Sequence, residues 1–268
     1  MNETIYHYCS IKAFEEIIKN RTIWYSDLRR MNDPDEYALG YCVVREAILG
    51  RHPYAQSLIE DIKPDFLGDK YEILICSFSH NGDCLSLWRA YAEDARGVAL
   101  GFSPERLFTG NLVERYCQKM EPVTGGTEII PVIYDETVFR ERIEAQLRRW
   151  RFPEGEEERR KDVRLTALRH ELMRLCAVFK SRSYSDEREI RSLIVNSIES
   201  DEYHTGTRDG KYGKTKYHEL NTCFGEQNYV TEVVLGPKNS YDCDTVQRSL
   251  AELGLTSVTV RNSEVKYR

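Results

Sequence analysis

Several features that define other protein classes are missing from this 268-residue sequence. No window approaches the roughly 18 to 20 consecutive apolar residues that a membrane span needs, so we expect no integral membrane protein. The first residues, Met1 to His7, contain an acidic residue and lack the basic and apolar regions of a secretory signal. No internal repeat or low-complexity tract is visible. These absences favour a cytoplasmic protein with a single globular domain over residues 1–268.

Close pairs of cysteines or histidines are also missing. The eight cysteines form no Cys-x-x-Cys pair, and most of them lie in apolar runs, which is typical of reduced core residues in a cytosolic protein. Structural zinc sites take ligands about two to five residues apart, and no two cysteines or two histidines are that close. We therefore expect no metal site.

A basic excess is missing too, since 38 Lys and Arg stand against 44 Asp and Glu and the net charge is −6. Generic duplex binding needs a strong positive field, because neutralised phosphates supply most of that affinity. The arginine run at 148–151 is followed by four glutamates within residues 154–158, so the local field partly cancels. We expect a solvated helical surface there rather than a nucleic-acid patch.

The hydrophobic pattern that is present predicts an α+β fold with a mixed central β-sheet, flanking helices and a charged helical insertion at about 137–178. Ser10 is a typical N-cap for a helix that runs to Asn20 between two strands, and Asp83 is placed to cap a short helix carrying Leu87 and Trp88. Strands are predicted at 3–9, 22–26, 71–78, 97–102, 129–134, 189–195, 230–235 and 256–261, and further helices at 34–49 and 241–253.

A glycine-rich stretch at 206–215 ends in Gly-Lys-Thr, as phosphate-binding loops do. The phosphate-loop pattern needs a glycine where Arg208 stands, and a buried strand where polar residues 199–202 stand. We expect instead either a basic loop that covers a substrate or a plain hairpin connection.

Three separated segments carry the candidate chemistry. They hold His7 in the first strand, Trp24 and Tyr25 in the second, and Glu187 and Glu189 at the start of a later one. Loss of nicotinamide from NAD leaves an oxocarbenium-like ribose, which a carboxylate stabilises while aromatic faces hold the departing ring. These residue types also fit a hydrogen-bonded core histidine, packed aromatics and a cross-strand charge ladder.

Six segments in order resemble the prokaryotic domain of unknown function 2971, except across the 137–178 helices. The family name implies little chemistry. The segments are Tyr6-His7-Tyr8 with Asn32-Asp33-Pro34 and Glu36, Ser77-Phe78-Ser79, residues 85–91, residues 97–102, residues 187–191 and Leu235-Gly236-Pro237.

Tyr6-His7-Tyr8, with the short helix and strand that follow, also resembles the opening of ADP-ribosyltransferase domains, and the Glu187-x-Glu189 pair is similar to their Glu-x-Glu. The resemblance implies a catalytic Glu189, an acceptor-orienting Glu187 and a His7 that contacts the adenosine ribose. The residues assigned to NAD binding are Tyr8, Trp24, Tyr25, Ser26, Asn32, Tyr37, Trp88 and Arg89. Arg89 would hold a pyrophosphate, although a surface arginine on a core helix fits equally.

The leading hypothesis is an enzyme that uses NAD as substrate, without a metal, and either transfers ADP-ribose to a protein or nucleic acid or hydrolyses NAD, as a toxin or antiphage effector. Two alternatives stay open. One is a non-catalytic module that binds a nucleotide or single-stranded RNA through Arg89 and the 206–215 loop. The other is a metal-independent nuclease with His7 as general base beside Glu189.

Overall fold

The chain folds around one mixed β-sheet with helices packed on both faces. The computed structural model describes residues 3–31, 35–108, 129–152, 155, 157–198, 206–210, 213–224 and 226–268. Among these residues the main sheet has ten strands, in the order β12-β11-β4-β1-β3-β2-β8-β7, with β6 also paired to β3 and β5 to β6. β11 and β12 are parallel and the other pairs antiparallel, so the predicted mixed sheet is confirmed. The strands are β1 (Ile5–Cys9), β2 (Thr22–Asp27), β3 (Tyr71–Ser79), β4 (Val98–Phe102), β5 (Ile129–Pro131), β6 (Glu189–Ser197), β7 (Gly206–Gly210), β8 (Gly213–Asn221), β9 (Cys223–Phe224), β10 (Gln227–Asn228), β11 (Val230–Leu235) and β12 (Thr259–Asn262).

Most predicted helices are present, and the start of one differs from expectation. Ser10 caps the first helix by accepting from the Ala13 amide, as predicted. Asp83 does not cap the fourth helix, because its carboxylate accepts from the Trp88 indole, 2.7 Å away, and from the segment at 263–264. The helices are α1 (Ile11–Asn20), α2 (Glu36–Ile48), α3 (Ala55–Asp61), α4 (Leu85–Tyr91), α5 (Glu136–Arg149), α6 (Glu158–Cys176) and α7 (Cys243–Glu252), with 3-10 turns at Leu28–Arg30, Pro64–Phe66 and Arg182–Glu187.

The two faces of the sheet bury separate hydrophobic clusters. Alternate residues of a strand point to opposite faces, so Leu74 and Cys76 of β3 pack with α1 and α7, whereas Ile73 and Ile75 pack with α2, α3, α5 and α6. The described residues contain no helix that is both long and apolar enough to cross a bilayer.

The helices α5 and α6 are part of the core, which corrects their description as a solvated insertion. Phe139 and Ile143 of α5, and Leu168 and Leu172 of α6, are fully buried. Phe139 also stacks on Phe179, with ring centroids 4.2 Å apart. Burying each such side chain stabilises the fold by roughly 1.5 to 3 kcal/mol. None of the charged residues of these two helices belongs to the buried set.

The described cysteines are free thiols with varied exposure. Cys9, Cys76 and Cys176 are buried, as predicted, and burial raises the pKa of each thiol. Cys42 is exposed, so the expectation of core cysteines is wrong for it. Cys42 lies on α2 but outside the buried face of that helix.

The sheet is split beside β3. β6 pairs with β3 along its whole length. The opposite edge of β3 is shared by two strands, because β1 meets it at Ser79 and β2 meets it at Leu74 and Ile75. Residues 76–78 lie between these two contacts, so β1 and β2 part at that point. The split exposes a strand edge inside the molecule.

The glycine-rich stretch forms a hairpin rather than a phosphate loop. β7 and β8 are antiparallel, with Arg208 opposite Thr215, and β8 extends the sheet by pairing with β2. Of the two expectations for this stretch, the structure therefore has the hairpin, placed next to the strand that carries Trp24.

Candidate functional site

A cavity of about 130 Å³ lies at the split between β1 and β2. An apolar cavity of about 150 Å³ takes up benzene, so this cavity has room for one aromatic ring. Side chains from β1, β2, β3 and β6 reach it, because all four strands border the split. It therefore unites segments that the sequence keeps far apart. The predicted residues that line it are His7, Tyr8, Trp24, Ser26, Glu187 and Glu189.

His7 closes part of the exposed edge of β3. Its Nδ1 donates a hydrogen bond to the Ser77 carbonyl at 2.9 Å, in the stretch where the edge of β3 opposite β6 is paired with neither β1 nor β2. Burial lowers the pKa of His7, although the Ser77 carbonyl acts in the opposite direction. The imidazole is therefore neutral at pH 7, with Nδ1 protonated and Nε2 as an acceptor. His7 is thus hydrogen-bonded within the sheet, partly buried, and also borders the cavity.

Glu189 is held by two cations. Arg191 Nε donates to Glu189 Oε1 at 2.8 Å, and the second guanidinium arm donates to Oε2, also at 2.8 Å. Lys180 Nζ donates to Oε2 at 3.1 Å. A fork of this kind fixes the plane of the carboxylate. Glu189 is therefore oriented without any ligand.

Lys180 bridges the two predicted glutamates. Its ammonium group donates to Glu187 Oε2 at 2.7 Å as well as to Glu189, and the Tyr91 hydroxyl donates to Glu187 Oε1 at 3.1 Å. Lys180 lies just after α6, and its side chain is 1% exposed. Glu36, in the first turn of α2, completes the group by accepting from Arg191. We call the set of Glu36, Lys180, Glu187, Glu189 and Arg191 the charge cluster.

The charge cluster contains three carboxylates and two cations, and burial acts differently on its members. Burial opposes ionisation of Glu189, but Arg191 and Lys180 outweigh it and lower the pKa of Glu189 to about 2. For Glu36, burial outweighs the neighbouring cations and raises its pKa. The pKa of Lys180 is raised by the surrounding carboxylates despite burial. Lys180 is therefore protonated at neutral pH and cannot serve as an amine nucleophile.

Trp24 and Ser26 form the side of the cavity nearest to the hairpin. The Trp24 indole stacks on Tyr217 of β8, with ring centroids 4.3 Å apart. The Arg208 guanidinium carbon lies 5.4 Å from the Trp24 ring, and Arg208 donates to Ser26 Oγ at 3.0 Å. The expected aromatic wall is thus present, with one indole face already covered by a tyrosine.

Tyr8 supports the opposite side. Its hydroxyl donates to the Asn81 carbonyl at 2.8 Å and accepts from the Cys84 amide at 2.9 Å. Its ring packs edge-to-face on Trp88, with centroids 4.8 Å apart. Tyr8 therefore ties β1 to the start of α4.

Several predicted residues lie elsewhere, which corrects their assignment. Tyr25 points to the opposite face of β2 from Trp24, is 1% exposed, and its hydroxyl is hydrogen-bonded to Ser192 at 2.7 Å. Tyr37 donates to the Ile62 carbonyl within the second hydrophobic cluster. Trp88 is fully buried beneath Tyr8. Arg89 borders a separate surface depression, and Asn32 lies outside the described residues.

The sequence pattern assigns no functional role to two members of the charge cluster, Glu36 and Lys180. Glu36 follows the spacing of the buried residues Gly40, Val43 and Ala47 on α2, so an acidic residue on the apolar stripe was a usable signal. Lys180 has no comparable signal, because it lies four residues beyond the end of α6 and acquires its partners only in the fold. Among the described residues, no group of three or more histidine, cysteine or acidic residues is arranged to hold a metal ion.

The family described as Protein of unknown function (DUF2971) matches residues 87–192. This match confirms the predicted family, over a shorter stretch than the segments that suggested it, and it includes α5 and α6. No curated protein and no solved structure matches the chain. The resemblance to ADP-ribosyltransferase domains therefore stays a prediction.

Proposed function

We propose, from the geometry of the cavity, that the protein breaks the nicotinamide ribosyl bond of NAD. It then transfers ADP-ribose to a macromolecule or to water. The family that matches residues 87–192 has a description that names no activity, so it does not contribute to this proposal. One observation carries this proposal: His7 of β1, Trp24 of β2 and Glu189 of β6 line one ring-sized cavity.

The reaction places a specific demand on the site. The bond between C1′ of the ribose and the ring nitrogen breaks, and its electron pair leaves with nicotinamide, which becomes neutral. The positive charge passes to an oxocarbenium-like ribose. An acceptor hydroxyl or water then bonds to C1′ and releases a proton. The site must therefore stabilise a cation that moves from the ring to the sugar.

The charge cluster fits this demand because it brings the carboxyl groups of Glu187 and Glu189 to the cavity. Its buried position strengthens the interaction with a bound cation relative to water. Glu189 stays ionised at neutral pH, since its pKa is about 2, so it acts as an electrostatic partner and not as a base. Arg191 and Lys180 hold it in place before the substrate arrives.

The other lining residues have positioning roles in this proposal. The Nε2 atom of neutral His7 accepts a hydrogen bond from a ribose hydroxyl, because Nδ1 already donates to the Ser77 carbonyl. Trp24 borders the departing ring. Glu187, held by Tyr91 and Lys180, orients the acceptor.

A nucleotide-binding module without catalysis is the second candidate. It is favoured by the pairing of both oxygens of Glu189 with Arg191 and Lys180. A carboxylate so fully paired also suits a structural role. Binding of NAD without any nicotinamide release would support this candidate.

The test is the release of nicotinamide from NAD, followed by chromatography, with no acceptor, with added RNA and with added protein. We expect release by the wild-type protein and a loss of about 100- to 1000-fold in Glu189→Gln, as for other well-placed electrostatic partners. Trp24→Leu should raise the substrate concentration needed for half-maximal rate, because it shrinks the ring contact.

Glu252→Gln is the matched control, since Glu252 is an exposed glutamate on α7, far in sequence from the cavity strands. It should keep wild-type release. Circular dichroism should show that each variant is folded. Absence of release by folded wild-type protein under all three conditions would contradict the proposal, and RNA cleavage without NAD would point to the nuclease.

A further inference from the structure

Arg208 stands at the rim of the cavity, and within the described part of the chain its guanidinium donates to one side chain, Ser26. It lies on β7, donates to Ser26 Oγ at 3.0 Å and places its guanidinium carbon 5.4 Å from the Trp24 ring. Ser26 and Trp24 both line the cavity. Arg208 therefore contacts two side chains that would themselves contact a ring bound in the cavity.

The charge of Arg208 is uncompensated in the described structure. Comparable arginines have carboxylate partners: Arg29 pairs with Asp27 at 2.6 Å, and Arg261 pairs with Glu232 at 3.1 Å. No carboxylate of the described residues pairs with Arg208, and its buried Nε has no hydrogen-bond partner. Burial lowers the pKa of Arg208. Removing a charge from water without a partner is costly, so this arrangement is typical of a site that receives an anion.

We propose that Arg208 binds the phosphate group of the nucleotide whose ring enters the cavity, and so forms an anion subsite. This inference rests on the proposed function for the identity of the ring, but not for the anion. A guanidinium presents two parallel donors that match two phosphate oxygens. The other donors of Arg208 supply this fork, while Ser26 and Trp24 fix its position.

The hairpin supplies a reason for the glycine-rich sequence around Arg208. Gly206 lies opposite Tyr217, and a Cβ added at Gly206 would lie 2.9 Å from the Tyr217 hydroxyl oxygen. Tyr217 stacks on Trp24. Close approach of β7 therefore keeps tyrosine, tryptophan and arginine together at the rim.

The test compares two ligands that differ by a single phosphate, nicotinamide mononucleotide and nicotinamide riboside, by isothermal titration calorimetry. The wild-type protein should bind the mononucleotide more tightly, and Arg208→Gln should weaken its binding about 10- to 100-fold, as for hydrogen bonds between charged groups. Riboside binding should change little, so the phosphate preference should disappear. Arg208→Lys should keep part of the preference, because it retains the charge but not the fork.

Lys214→Gln is the matched control, since it removes one positive charge from the exposed side of the same hairpin. At 150 mM salt it should leave mononucleotide affinity within about twofold. Equal losses in Lys214→Gln and Arg208→Gln would overturn the proposal, because they would show only a general field effect. Binding of single-stranded RNA but not of the mononucleotide would overturn it as well.

Inorganic pyrophosphate separates this inference from the proposed function. Its binding needs Arg208 but no ring and no catalysis. If pyrophosphate binds the wild type and not Arg208→Gln while no nicotinamide is released from NAD, the anion subsite stands and the proposed activity fails. If nicotinamide is released at the same rate by wild type and Arg208→Gln, and neither phosphate ligand distinguishes them, the anion subsite fails and the activity stands.

Discussion

Replacing Glu189 by glutamine measures how strongly the charge cluster stabilises the fold. Glu189 has a side chain that is 9% exposed and is paired with Arg191 and Lys180. Glutamine keeps the shape of the side chain but loses its charge, and its amide donors face two cations. The substitution therefore leaves each buried cation with one close carboxylate instead of two, Arg191 with Glu36 and Lys180 with Glu187.

The size of the effect follows from the pKa of the Glu189 carboxyl. In the folded protein the cations lower this pKa from 4.5 to about 2, against the effect of burial. Each difference of one between the unfolded and folded pKa corresponds to about 1.36 kcal/mol, so the ionised carboxylate contributes about 3 kcal/mol at neutral pH. Breaking a buried ion pair costs about 3 to 5 kcal/mol in other proteins. A typical domain has about 5 to 15 kcal/mol of total stability, so the variant should still fold.

Urea unfolding at pH 7 is the assay, with Glu252→Gln as the control. We expect Glu189→Gln to lower the free energy of unfolding by about 3 kcal/mol and the control to change it by less than about 0.5 kcal/mol. The Glu189 contribution is complete above pH 4.5 and is lost as pH falls through about 2, because its folded pKa is the lower one. Wild type and variant should therefore converge in stability in that interval. A variant as stable as the wild type at pH 7 would refute this account of the charge cluster.

Two further predictions concern the surroundings of the site. His7 has a pKa lowered by burial from 6.5, so it contributes stability above pH 6.5 that is lost as pH falls through the folded pKa. His7→Gln should therefore weaken the decline of unfolding free energy between pH 7 and 5, and an unchanged decline would show that His7 titrates normally. Gly40→Ala would place a Cβ 2.7 Å from the Cys176 backbone, so urea unfolding should show a loss of about 1 to 3 kcal/mol. A gain of about 1 kcal/mol, as expected for an open helix position, would contradict that close contact.

Local patterns were sufficient to predict the elements that carry the site. Ser10 and the spacing of Phe14, Ile17 and Ile18 predicted α1 because N-capping and helical periodicity are local properties. The alternation in β2 likewise predicted opposite faces for successive residues. It does not predict which face borders a cavity, so both Trp24 and Tyr25 are candidates for NAD binding from the sequence, and only Trp24 lines the cavity.

Long-range pairing set the limit of prediction. The split arises because β1 and β2 pair with the same edge of β3 at different positions along that strand, and these positions depend on strand order and register. Residue type alone makes Arg89 a candidate for binding phosphate, whereas Arg208 reaches the rim only because β8 pairs with β2. Residue type gave the chemistry, and topology decided which of two arginines is next to the cavity.

The charge cluster also explains why α5 and α6 cannot be a dispensable insertion. Lys180 reaches Glu187 and Glu189 because the chain leaving α6 places Val178 and Phe179 in the second hydrophobic cluster. The stack of Phe179 on Phe139 of α5 fixes that segment. The helices that look like a charged addition in the sequence therefore position the cation that joins the two candidate glutamates. Packing in the second cluster and the electrostatics of the cavity are consequently parts of one structure, and a loosened α5–α6 pair should disturb both.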